Sequence, residues 1–179
     1  MGFIRSIAAA GRRVLAAFAR RQDGSPAAEF ALVAPIFIVL IFATAQVAII
    51  YIAEAFLETA AEEGARTVLT NNASSMTATQ FKTAVCNNLP VLFTCGNVMI
   101  NLSQAASETS INTAAPTFNS DGTLANPTTY SVPTSGQIGV LQVFYEWPVL
   151  GLPLGFTFGY LGNGAYLMLS TQVFIVETP

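Results

Sequence analysis

From Phe30 to Ala53 the chain reads FALVAPIFIVLIFATAQVAIIYIA, a run without one charged side chain. About twenty apolar residues carry a helix across a hydrocarbon core roughly 30 Å thick. A core helix in a soluble domain is usually shorter and keeps a polar stripe, whereas here the one strongly polar side chain is Gln46. The pattern predicts a membrane span. The run is also longer than the apolar region of a typical cleaved secretory signal. Past it, Phe56, Leu57, Ala60, Ala61, Gly64, Ala65 and Val68 recur at helical spacing, while Glu54, Glu58 and Glu62 share another face. One long helix over about 27–70 is expected, with Pro35 kinking or loosening its first turns. Its outer half needs a partner for the apolar face, and the chain that follows is the natural one.

That following chain predicts a small mixed domain. Ser74–Asn88 reads as a short helix and Val98–Ser103 as a strand. Residues 107–136 are rich in Thr, Ser, Asn, Pro and Gly, which suits a long exposed loop with room for one short strand. Gln137–Trp147 is apolar on both faces, as a central strand would be, and Pro148 stops it. Residues 151–164 combine glycines with aromatics and read as a bulged hairpin connection or a surface loop. Tyr166–Val176 is a third strand. The fold class expected is α+β: a long N-terminal transmembrane helix continuing into a domain with an antiparallel sheet of about three strands. The organisation expected is a basic arm over 1–24, a span and stalk helix over 25–70, and the mixed domain over 71–179. The dense aromatics Phe144, Tyr145, Trp147, Phe156, Phe158 and Tyr160 fit core packing, or an interface with another subunit, or a second membrane contact.

Charge adds direction. Arg5, Arg12, Arg13, Arg20 and Arg21 precede the span, whereas Glu54, Glu58, Glu62 and Glu63 follow it. Basic flanks stay in the cytoplasm, so the arm is expected inside and the domain outside, in the periplasm. The apolar positions among residues 3–20 recur at helical spacing with arginines between them, which suits either a basic helix on the anionic inner leaflet or a plain topology-setting arm. The acidic body argues against a nucleic-acid partner. There is no histidine, no Cys-x-x-Cys, no Gly-x-Ser-x-Gly and no phosphate loop. An enzyme, a metal site and a cofactor therefore find no support. Cys86 and Cys95 enclose a short loop containing Leu89-Pro90. In an oxidising compartment they would pair; two buried free thiols are the alternative.

The junction before the span holds a carboxylate that needs an explanation. Glu29 sits at the edge of an uncharged helix, where a charge costs up to roughly 2–3 kcal/mol toward the bilayer centre. It could neutralise an amino group, its own or a neighbour's, and it complements the positive end of the helix dipole. A helix-start acid with no further role is the simpler alternative. Gly24-Ser25-Pro26-Ala27-Ala28-Glu29-Phe30-Ala31-Leu32-Val33-Ala34-Pro35 resembles the N-terminal motif of TadE/TadG-like proteins. These are minor pilins, or pseudopilins, of the bacterial tight-adherence (Tad, Flp-type) pilus. Ala60-Ala61-Glu62-Glu63-Gly64-Ala65-Arg66 resembles the end of that family's long helix, and Tyr145-Glu146-Trp147-Pro148 and Leu169–Phe174 resemble later features. The resemblance implies that a prepilin peptidase cuts between Gly24 and Ser25, and that Glu29 and Phe30 serve processing or assembly. It implies as partners the membrane, that peptidase, other pilins and the Tad assembly proteins. The location implied is the bacterial inner membrane, with the extracellular pilus as a later destination. Pro26 departs from the small residue that relatives carry there, although proline is tolerated at a helix start. An uncleaved single-pass envelope anchor, acting as a binding or scaffold protein, shares this topology.

Overall fold

The computed structural model describes residues 26–70, 72–125, 128–151, 155 and 157–176. Helix α1 spans Pro26–Leu69 and α2 spans Ala78–Cys86; the strands are β1 (Val98–Ala105), β2 (Ile138–Trp147) and β3 (Tyr166–Ile175). The chain divides into two compact units after Phe42. Among the described residues, the first contains the opening turns of α1; the second contains the rest of α1 and everything after it.

α1 begins at a proline, whose missing N–H costs nothing in the first helical turn. Pro35 lies inside the helix, and the helix runs through it. The helix expected over Ser74–Asn88 is divided: a single 3₁₀ turn occupies Asn72–Ser75, and α2 starts only after Thr77. The reason is local. The Thr77 hydroxyl accepts from the Gln80 amide N–H (3.3 Å), and the Gln80 side chain accepts from the Thr77 N–H (2.8 Å). This reciprocal capping box fixes the start of a helix at that point.

The sheet is three-stranded and antiparallel in the order β1-β2-β3. The strand apolar on both faces, β2, is central as its pattern predicts. Register places Val98, Tyr145 and Met168 side by side on one face, and Leu102 and Leu141 further along it. Those side chains form one buried cluster with Leu57, Ala60, Ala61, Ala65 and Val68 of α1 and with Phe81 and Val85 of α2. The outer half of α1 therefore does find its partner in the downstream domain. Gly64 makes the closest approach: a Cβ there would lie 3.0 Å from Val85 Cγ2 and 3.2 Å from Leu141 Cδ2.

The segment expected to be a long exposed loop has a structural task. Gln142 and Phe144 of β2 face away from α1, yet both are buried. They share a cleft with Ala114, Pro116, Thr117 and Leu124. The Gln142 side chain donates to the Ala114 carbonyl at 3.0 Å and accepts from the Asn101 side chain, also at 3.0 Å; Asn101 in turn accepts from Thr129. The polar segment thus covers the second face of the sheet. Of the short strand allowed for in this stretch, only isolated bridges form among the described residues, Leu102 with Tyr130 and Phe118 with Leu124.

Candidate assembly helix and its partners

The helix offers two kinds of surface. In its first turns Glu29 is the acidic residue, and Glu29 and Phe30 are both exposed. Among the described residues no ion pair to Glu29 is formed. Gly24 and Ser25, the residues of the expected cut, lie outside the described residues. Leu32, Val33, Ile36, Phe37 and Leu40 are all more than half exposed. A helix apolar all round and exposed all round suits lipid or the helices of neighbours. In α1 a window of mean hydropathy 2.6 is only 11 % buried, the reverse of a soluble core helix. α1 is long and apolar enough to cross a membrane.

From Ile50 onward the pattern changes. Ile50, Ala53, Leu57, Ala60, Ala61, Gly64, Ala65 and Val68 are buried. Small residues at Ala53, Ala60, Ala61, Gly64 and Ala65 let the sheet and α2 approach the helix backbone closely. Leu57 fills the remaining space at 1 % exposure, and burying such a side chain contributes roughly 1.5–3 kcal/mol. The polar edge of this face is tied down as well. The Tyr166 hydroxyl donates to Glu54 Oε1 at 2.9 Å. Partial burial first, and then the Glu54 carboxylate, push the Tyr166 hydroxyl up to about 12. The Arg66–Glu63 pair is 3.6 Å apart with both side chains well exposed, so it adds little.

Gln46, the polar residue in the apolar run, has a partner: its amide donates to the Leu150 carbonyl at 3.3 Å. Neither this contact nor the Tyr166–Glu54 bond was visible in the sequence, where more than a hundred residues separate each pair.

Cys86 and Cys95 form a disulfide. The free-thiol alternative is set aside. The bridge closes a loop whose Phe93 ring packs edge-on against Tyr145 (5.0 Å) and Trp147 (5.6 Å). The Thr94 N–H donates to the Tyr145 hydroxyl, and Lys82 Nζ donates to the Gly96 carbonyl. Of the aromatics singled out in the sequence, Phe144 and Tyr145 are core and Trp147 is partly buried, whereas Tyr160 is 64 % exposed; Phe156 lies outside the described residues. Among the described residues no cluster of three or more acidic or thiol side chains is placed to hold a metal.

Residues 24–66 match the family model of TadE-like proteins. No curated protein and no solved structure matches the chain. The matched segment begins at Gly24, includes Glu29 and Phe30, and ends at Arg66, within the last turn of α1.

Proposed function

We propose that this TadE-like chain is a minor pilin or pseudopilin that takes part in assembling a Tad-type adhesion pilus. The observation that carries the reading is the coincidence of the family match with α1: it starts at the expected cleavage residue and follows the helix into its last turn. In this reading the basic arm is cytoplasmic, the domain is periplasmic, and a prepilin peptidase cuts after Gly24. The new amino group on Ser25 then lies about one helical turn from Glu29. A carboxylate at that place can accept a neighbour's amino terminus as helices slide together in the bilayer, where an unpaired charge is expensive. The exposed apolar surface from Phe30 to Ile49 supplies the packing between such helices. The Cys86–Cys95 disulfide favours the outside location of the domain, since such bonds persist in oxidising compartments.

N-terminal sequencing of the protein from membranes tests the cut. A mature chain beginning at Ser25 is expected, and Gly24→Ala should retain the arm; an intact Met1 in the wild type would leave a permanent anchor instead. Glu29→Ala is expected to insert normally and to abolish piliation. Wild-type piliation in that variant would remove the role given to Glu29.

A further inference from the structure

Among the described residues, five of the seven large exposed apolar side chains that lie beyond α1 gather in two loops, while Val173 and Ile175 lie on the C-terminal half of β3. Val91 and Leu92 stand on the disulfide loop, and Leu150, Phe158 and Tyr160 on the connection between β2 and β3. Register puts both loops at one end of the sheet. Val98 begins β1 just after the disulfide loop, opposite Tyr145; Trp147 ends β2 just before the connection, opposite Tyr166, where β3 starts. The disulfide loop is held at this end by Phe93 against Tyr145 and Trp147.

This end of the sheet is also the one level with the apolar run of α1. Tyr166 is bonded to Glu54, the first acid after the run, and the Leu150 carbonyl is bonded to Gln46, inside the run. Gln46 precedes Glu54 by two helical turns, roughly 12 Å along the helix. A span of about twenty residues counted from Phe30 ends at Ile49, so Gln46 lies within it by one turn. An amide at that depth needs a partner, because lipid offers none. Leu150 provides it, and in doing so is brought to the depth of the span. Residues 147–176 contain no charged side chain, the bordering carboxylate of Glu146 accepts from Asn163 of the connection at 2.6 Å, and tyrosines at the edge of a span are the side chains that favour the headgroup region. Tyr51, on α1, and Tyr160 are both exposed at this level. The opposite end of β1 leads instead to Glu108, in a charged and polar turn.

We infer that the Trp147 end of the domain is a second membrane contact: Val91, Leu92, Leu150 and Tyr160 enter the interface of the leaflet reached by the C-terminal end of the span. The occupant is the lipid bilayer, through continuity with the apolar surface of α1. The domain then sits on the bilayer surface and does not stand off from it on the helix. This inference rests on α1 spanning the bilayer and is independent of the pilus role.

The test uses the full chain reconstituted in phosphatidylcholine–phosphatidylglycerol vesicles, four parts to one. The native cysteines are paired, so a single introduced cysteine takes a nitroxide label at residue 51, 150 or 108. Collision with dissolved oxygen is compared with collision with a water-soluble nickel chelate. The expected oxygen-to-nickel ratio at 150 is close to that at 51 and several-fold above that at 108. A ratio at 150 equal to that at 108, with 51 still in lipid, overturns the membrane contact alone. A water-like ratio at residue 40, labelled in the same way at mid-span, removes the span itself. A label at 150 shielded from both reagents also overturns the proposal, since protein then covers the loop. Leu150 is 78 % exposed, so labelling there leaves the core intact; Leu92→Cys gives an independent reading from the other loop.

Discussion

Leu40 and Leu57 belong to the same helix and the same residue type, and they are under different selection by their surroundings. Leu40 is 57 % exposed, with apolar neighbours along the helix on every side; Leu57 is 1 % exposed, between a sheet and a second helix. Before Ile50, α1 is written for a solvent of lipid or other helices, and bulky Ile, Phe and Leu are spread over the whole circumference. After Ile50 it is written for a protein partner, and alanine and glycine replace the bulky residues on one face. The difference shows how one uninterrupted helix can be an insertion element at one end and a core element at the other. Only the size and the angular distribution of the apolar residues change.

The sharpest way to break this comparison is a matched pair of truncations. Leu57→Ala should destabilise the folded domain by about 2–5 kcal/mol, the usual range for a buried leucine. Leu40→Ala should leave that stability unchanged. Urea unfolding of the full chain in micelles, followed by Trp147 fluorescence, reads both. Equal effects would mean that the two stretches share one environment. Replacing Cys86 and Cys95 together by alanine should cost about 2–3 kcal/mol on the chain-entropy estimate for so short a loop. The loss should appear in the same unfolding curve without altering membrane insertion.

A smaller effect tests how closely the upper half of the helix is packed. Gly64→Leu should destabilise by about 1–3 kcal/mol, as overpacking does, because even a Cβ at that position meets Val85 and Leu141. A leucine in place of Ala34, in the lipid-type half, should have no such cost.

The smallest effect concerns the hydroxyl that ties β3 to the helix. Tyr166→Phe should cost about 1 kcal/mol or less, as a partly exposed hydrogen bond does. The pH dependence has a definite sign. The folded-state pKa of Tyr166 is raised to about 12 from the usual 10, so its contribution is complete below the unfolded value and is lost as pH climbs from 10 through 12. Stability should therefore fall over that interval in the wild type, and less steeply in Tyr166→Phe.

Much of this arrangement was legible in the sequence, for identifiable reasons. A long uncharged run and a 3.6-residue period place α1 within a residue of its ends. Two-sided apolarity places β2 at the centre of the sheet. The capping box that splits the 74–88 segment was also written there, as Thr77-x-x-Gln80, and reading by apolar period alone passed over it. Other features left no local signal. The Gln46–Leu150 and Glu54–Tyr166 bonds join residues far apart in the chain through single polar atoms. At the candidate assembly segment, Glu29 stood out because a charge beside a bare apolar helix is rare, and Phe30 came only with the family resemblance. Their exposure follows from the same bareness.

The cover over the second face of the sheet has a consequence for how this chain can vary. Its hold on Gln142 is the Ala114 backbone carbonyl, and its hold on Asn101 is an N–H and a hydroxyl of Thr129. A carbonyl is supplied by almost any residue, so the side chain at 114 is loosely constrained, whereas Gly122, at φ +83°, and Asp121, which accepts from Thr123, are not. The number of residues is constrained too, because an insertion or deletion near 114 would withdraw the carbonyl from Gln142 and open Phe144 to water. The side chain at 114 should therefore vary freely while the spacing around it does not, and a tag or epitope placed there would unseat the sheet it lies on.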